Sequence, residues 1–490
     1  MKQPLTLALD IGTSSVRAAL YDGDANILPE TSVKLERSLV STADGGAEID
    51  PEVAFDQVAA VIDAVLDKTK KLKGEIGYVA SCSFWHSLVG VDANGKPTTK
   101  VFGWADTRSR EYSAVLRKRF EEGEVHNRTG ARFHSSFWPA KLLWLRKEFP
   151  DTFARTARWL SFSDYVAIKL LGMSVTSISM ASGTGVFDQR RCDWDDDLLK
   201  YLKLARFNLP RKSNPEMETL RLRPNLVKRW PRLKNAKWFP AIADGAADNI
   251  GSGCVTKTRA ALMVGTSAAM RVAYTGEPPQ EIPDGLWCYR IDRKRVIIGG
   301  ALSDGGNLYQ LIKNKFKLPA NTDELIRQRG TSNDDLIVLP FFFGERSTGY
   351  NEMASGAIIG LKPTHDGVDI LQAALEGISF RLAEIHDRLK KVADIREIVA
   401  SGGALRESPV WTQIIADVLG RDLIINDAAE SSLRGAVLLA LESIGKIESI
   451  ERSQLMSTAK AVFHPKCHAA YKKARRAHGD AYDLILTNRK

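Results

Sequence analysis

An internal repeat, spaced by half the chain, is the strongest constraint on the fold. The segment TLALDIGTSSVRAALYD (6–22) is answered by RAALMVGTSAAMRVAYT (259–275), so that Gly12-Thr13-Ser14 corresponds to Gly265-Thr266-Ser267. Each copy reads as an apolar strand, a turn of small residues and a second strand that carries an arginine. In a chain of 490 residues, this separation excludes a short-period solenoid and implies two structurally similar domains facing each other. The length agrees, since roughly 100–200 residues per domain allows two or more cores. The boundary is expected near Pro240, before ADGAADNIGSGC, dividing the chain into residues 1–243 and 244–490.

Other segments fix the class as α/β. A third strand is expected near Ser32–Leu35. A helix is expected over Pro51–Lys68, with Asp50 as cap, Pro51 in the first position and apolar residues at Val53, Val58, Val61, Ile62 and Val65. A strand follows at Ile76–Cys82, and VGVDANGKPTTKVFGW reads as a hairpin turning at Asn94-Gly95. Further on, EIVASGGALRESPVWTQIIADVLG reads as a strand, the pair Gly402-Gly403 and a helix capped by Ser408 with Pro409 in its first position. DAAESSLRGAVLLALESIG continues as a helix whose small residues suit packing. Strands alternating with helices imply layered α/β architecture.

Composition removes several function classes. Hydrophobic residues make up 44% and charged residues 26%, which are globular values rather than disordered or fibrous ones. The five cysteines are scattered, with no C-x-x-C, so no zinc knuckle or dithiol motif is readable and a reducing compartment fits. Asp10 interrupts the first apolar run too early for a signal peptide, and no run approaches the ~18 apolar residues of a membrane helix. A cytoplasmic location without membrane contact is expected. The net charge of +10 is concentrated: residues 201–240 hold eleven basic residues against Glu216 and Glu218. Without an aromatic-interleaved RNA motif, zinc finger or helix-turn-helix, the stripe reads as a solvated face, and no nucleic-acid partner is expected.

The motifs left over point to phosphate chemistry. GVDANGKP (90–97) has a P-loop core, but Pro97 stands where a hydroxyl should hold the metal, and it sits in a hairpin. In ALDIGTSSVRAAL, small residues expose backbone N–H groups to phosphate oxygens, and Asp10 at the strand end suits Mg²⁺ through water. The second copy has Met263 in place of Asp10, so one metal carboxylate serves a cradle made from both sides. Asp248-Asn249 is expected in the first turn of a helix, where the dipole favours an ionised carboxylate that could take a hydroxyl proton. Asp244 is the competing candidate.

Together DIGTSSVRAAL, SFWHSLVGVD, FGWADTRS, ADGAADNIGSG, MVGTSAAM, SDGGNLYQ, GERSTGYNEMASGAIIGL and SGGALRESPVWTQIIADVLG, in that order from Asp10 to Gly420, resemble the FGGY carbohydrate kinases. The resemblance implies two ribonuclease-H-like domains of the actin and hexokinase type around a central cleft, where ATP and a sugar meet. It also implies Mg²⁺ dependence and transfer of the γ-phosphoryl group to a sugar hydroxyl. By the same resemblance Asp248 is the catalytic base, with Asn249 beside it at the sugar. His86 contacts substrate, with Trp85 before it where relatives carry Met, and Asp106 belongs to the same side. Asp10 holds the metal. Thr13, Ser14, Arg17, Gly265, Thr266, Gly306, Gly402 and Gly403 bind nucleotide and phosphate, whereas Glu407 stands where some relatives have a small amide. WHSLVGVD, GWADTRS and GERSTGYNE are most similar to the gluconate-kinase branch, with the xylulose branch close. A sugar acid needs a cation, for which Arg108 and Arg110 are the sequence candidates. A homodimer is among the expected assemblies. The rival class is an actin- or chaperone-type ATPase that switches shape.

Overall fold

The computed structural model describes residues 3–213, 218–331, 336–426, 430–452 and 459–487. Two sheets dominate it. In the first, the strands lie in the order Lys237–Trp238, Ile76–Ser83, Leu5–Ile11, Ser15–Tyr21, Val33–Glu36, with Ile242–Ala243 also pairing Ile76–Ser83. In the second, the order is Trp287–Arg290, Arg295–Leu302, Ala268–Thr275, Arg259–Val264, Glu397–Ser401, Leu423–Asn426, Ala459–Phe463. Each sheet joins an antiparallel meander to parallel strands, the first strand of each repeat marking the junction. The duplication in sequence is therefore a duplication of topology.

The two copies differ by one residue at the turn. Asp10 lies opposite Arg17 and Ile11 opposite Val16, whereas Met263 lies opposite Ala269 and Val264 opposite Ala268. Past the turn, the ungapped alignment is thus out of register by one: Arg17 is equivalent to Ala269, and Ala19 to Arg271. A shift of one residue exchanges the faces of a strand. Arg17 and Arg271 consequently both face the cleft, while Met270, aligned with Arg17 by sequence, is fully buried in the second core.

The helix Pro51–Lys68 forms as its sequence predicts. The Asp50 side chain accepts hydrogen bonds from the N–H groups of Glu52 and Val53, and Ala54, Val58, Val61, Ile62 and Val65 bury against the first sheet. Val53, in contrast, is exposed. The Asn94-Gly95 turn also forms, with Gly95 at φ 79° and the Lys96 carbonyl accepting from the Asp92 N–H. The expected hairpin is only bridged at Leu88–Phe102 and Val91–Pro97: Val89–Val91 pairs with Arg158–Leu160, and Val101–Phe102 with Ala47–Ile49. Its arms are drawn apart because each joins another strand.

Two helices, Asp244–Gly251 and Ser431–Ser443, fill the space between the sheets. They cross at glycines: a Cβ on Gly251 would stand 1.8 Å from the Ser431 carbonyl oxygen, and one on Gly435 1.8 Å from that of Ala247. The small face of the second helix is thus a packing face. That helix also contacts the strands Leu5–Ile11 and Ile76–Ser83, so the C-terminal half reaches across onto the N-terminal sheet. Four of the eleven basic residues of the stretch are paired locally: Arg206 with Asp193 and Asp196, Arg211 with Glu218, Lys212 with Asp193 and Arg229 with Asp63. No described helix is long and apolar enough to cross a membrane.

Candidate active site

Between the sheets lies a cleft of about 670 Å³, whose walls come from both halves. At one end the two repeat turns face each other. Gly12 closes its turn by donating to the Ser15 carbonyl at 3.0 Å, and Gly265 to that of Ser267 at 2.9 Å; Thr13, Ser14 and Thr266 line the space between them. The helix Gly306–Phe316 starts against the second turn, with the N–H groups of Gly306 and Asn307 bonded to the carbonyls of Gly265 and Thr266. A Cβ on Gly306 would lie 2.6 Å from the Gly265 oxygen, so only glycine permits that approach. Gly402 has φ 109°, and a Cβ there would lie 2.1 Å from the Val264 oxygen, while Gly403 opens onto free space. With the N–H groups at that helix start already bonded, the features suited to phosphates are the bare backbone at Gly402-Gly403 and the two small-residue turns.

In the middle, carboxylates and guanidinium groups alternate. Arg17 pairs with Asp10 and, at 2.5 Å, with Glu430 at the head of the helix Ser431–Ser443. Burial raises the Asp10 pKa above the usual carboxylate range, against the lowering influence of Arg17. Asp248 is held at both oxygens: Arg271 donates at 2.8 Å and the Ser431 hydroxyl at 2.5 Å. The expected first turn belongs to a different residue. The helix begins at Asp244, directly after the strand Ile242–Ala243, and Asp248 stands a turn later. Asp244 lines the cleft and bonds only its own chain at the Gly245 N–H. Burial, with Asp10 nearby, pushes its carboxyl up to about 7.

The other end is aromatic. Trp85, His86, Trp104 and Trp287 line it, with Tyr289 stacked on Trp287 at 4.6 Å between centroids. Trp85 meets both rings edge-on and donates from Nε1 to the Ser179 carbonyl at 2.9 Å. Glycines make room for it: a Cβ on Gly183 would lie 2.3 Å from the indole, and one on Gly245 3.0 Å. His86 sits at φ 66° with Nδ1 2.6 Å from the Gly183 carbonyl. Burial lowers its pKa to about 3, so the ring is neutral; Nδ1–H donates to that carbonyl and Nε2 is left as an acceptor.

Four sequence candidates lie outside this lining. Asn249 is fully buried and donates to the Cys254 carbonyl, because the helix turns it away from the cleft. Asp106 is also buried; it accepts from the Ala47 N–H and pairs with Arg108 at 2.6 Å. Arg108 is consumed by Asp106 and Glu48, and Arg110 is exposed, so neither presents a cation to the cleft. Sequence reasoning missed Trp104, Arg271, Trp287 and Arg346, which line the cleft from segments distant along the chain. The readable signal for Asp244 was its place at a strand end that opens a helix.

Comparison with known proteins identifies the family. The chain is 28% identical over 465 residues to a gluconokinase of Bacillus subtilis, covering 91% of this chain and 88% of that protein. It is 24% identical over 491 residues to a xylulose kinase of the same species, covering 99% and 97%. A crystal structure of gluconate kinase from Lactobacillus acidophilus superposes with a TM-score of 0.89 at 26% identity, over 99% of both chains. Residues 5–232 match the N-terminal domain of the FGGY family of carbohydrate kinases and residues 260–443 match its C-terminal domain, and the chain belongs to that family.

Proposed function

We propose that this sugar kinase transfers the γ-phosphoryl group of ATP to a hydroxyl of a sugar acid of the gluconate type, with Asp244 as the general base. The observation behind the choice of base is the contrast between two aspartates of one helix. Both oxygens of Asp248 are bonded to Arg271 and Ser431, whereas the Asp244 carboxyl lines the cleft with no side-chain hydrogen bond. A base must have a free lone pair within reach of the proton it takes, and works best with a pKa near the working pH. Asp248 instead fixes Arg271 and the entry of the neighbouring helix.

The donors present fit Mg²⁺. Among the described residues no group of three or more His, Cys, Asp and Glu side chains is placed to cage a metal. Mg²⁺ normally keeps waters and needs only one or two carboxylates beside substrate phosphates, which Asp10 and the phosphate turns can supply. An ion held there by Asp10 would supply neutralisation of charge on the phosphate oxygens. The two Gly-Thr-Ser turns and the bare backbone at Gly402-Gly403 orient the triphosphate. His86 Nε2 accepts a hydrogen bond from a substrate hydroxyl, and the Trp85 and Trp287 rings cover apolar C–H faces of the sugar. Asp244 aligns the attacking hydroxyl and takes its proton.

Support for a gluconate-type substrate comes from the gluconokinase relatives; the xylulose kinases are almost as similar and define the second reading. ADP release with Mg-ATP, measured across gluconate, xylulose, ribulose and glycerol, tests the proposal. Gluconate is expected to give the highest kcat/KM. A clear preference for a ketopentose would replace the substrate, and sugar-independent ADP release would replace the reaction.

A further inference from the structure

A sugar acid brings a negative charge that a neutral sugar lacks, and the cleft contains a cation free to meet it. Arg17 is paired with Asp10 and Glu430, Arg271 with Asp248, and Lys34 with Glu36. Arg406 lies at the nucleotide end, in the short helix Gly403–Glu407. Arg346 is different. It lines the cleft with Trp104 and Trp287, its Nη2 donates to the Leu302 carbonyl at 2.7 Å, and its guanidinium lies 4.2 Å from the centre of the Trp104 ring. Among the described residues no carboxylate is paired with it, and its Nε is enclosed without a hydrogen-bond partner.

The position is held from both sides. The preceding Glu345 is buried and bonded to Arg381 at 2.6 Å and to Tyr482. The nearby Glu352 reaches across to the Ser113 hydroxyl and the Ser135 N–H of the other half. The segment is therefore anchored to both domains, and the guanidinium is presented rather than waving. Other positive groups nearby do not compete: His86 is neutral, and Lys141 is wholly buried and donates to the Ser135 carbonyl.

We propose that Arg346 is the specificity-determining residue of this site, receiving the carboxylate of an aldonic acid whose far hydroxyl is presented to Asp244. A planar guanidinium stacked on an indole offers paired N–H groups that match a carboxylate and not a hydroxymethyl group. Burial lowers its pKa to about 10 and is only partly offset by the nearby Asp244 and Asp304 carboxylates, neither of which is ion-paired with it, so a bound anion would relieve the remaining cost. This inference rests on the sugar-acid reading above and adds the residue that enforces it.

The test compares D-gluconate with D-glucitol, in which a neutral hydroxymethyl group replaces the carboxylate, in the wild type and in Arg346→Gln. The wild type is expected to favour gluconate, and the variant to lower the gluconate-to-glucitol ratio of kcat/KM on the order of 10²-fold, as loss of a charge-assisted contact does. Arg346→Lys, which keeps the charge without the fork, is expected to fall between them and carries the comparison should the Gln variant fold poorly. A wild type with no gluconate activity would overturn the sugar-acid reading itself. A wild type that prefers gluconate, with variants that keep its ratio, would leave that reading standing and overturn the role of Arg346.

Discussion

Asp244 and Asp248 lie a turn apart on one helix, and replacing each by asparagine should have opposite consequences. Asp244→Asn keeps the shape of a carboxyl bonded only to its own backbone, so little stability is at stake. It replaces the basic carboxylate that takes the proton with a non-basic amide, and loss of a general base costs about 10²–10⁴-fold in rate. Asp248→Asn weakens two interactions, the 2.8 Å bond from Arg271 and the 2.5 Å bond from Ser431. The amide can still accept from Arg271 and donate to the Ser431 hydroxyl, so what disappears is the charge assistance, about 1–2 kcal/mol. For domains of this size that corresponds to a fall in Tm of roughly 2–8 °C. Steady-state kinetics on the best substrate, with thermal melts of both variants, separates the two. The reasoning is refuted if Asp244→Asn keeps kcat within tenfold of wild type while Asp248→Asn loses a hundredfold or more at an unchanged Tm.

Three further outcomes follow from the same geometry. Because the Asp244 carboxyl is pushed up to about 7, it is protonated and unable to act as base below that value; kcat/KM should rise with pH through about 7, and Asp244→Asn should abolish that limb. Gly183→Ala would bring a methyl group 2.3 Å from the Trp85 indole, so overpacking of about 1–3 kcal/mol should displace the ring and raise KM for the sugar more than KM for ATP. Gly402→Ala, at φ 109° and 2.1 Å from the Val264 oxygen, should raise KM for ATP; a variant with unaltered nucleotide affinity would remove Gly402 from the phosphate site.

Local signals were legible wherever neighbours in sequence decide the structure. The helix Pro51–Lys68 has the predicted limits because Asp50 and Pro51 cap and start it without outside help. Ser408 likewise accepts from the Trp411 N–H at the start of Pro409–Leu419. The glycine turns that line the cleft were legible for a related reason: Gly12, Gly306 and Gly402 mark places where backbone must approach backbone. The sugar end was harder to read. Trp104, Trp287 and Arg346 have no common spacing, and they meet only when the halves fold together. Arg108 looked available by composition, but Asp106 and Glu48, distant in one case along the chain, had already claimed it.

The sequence by itself determined a duplicated α/β architecture, a cleft lined by paired Gly-Thr-Ser turns, and membership of a kinase family, because strand periodicity, caps and glycine turns are properties of short stretches. Only the tertiary structure decided which aspartate is free. Asp248 is immobilised by Arg271 and Ser431, which come from 23 and 183 residues away, and Asp244 is left open to the cleft. The one-residue difference between the two turns is equally a tertiary result, since the face an arginine presents depends on hydrogen-bond register. Whether a charged side chain is free or already paired depends on partners that no local pattern reveals.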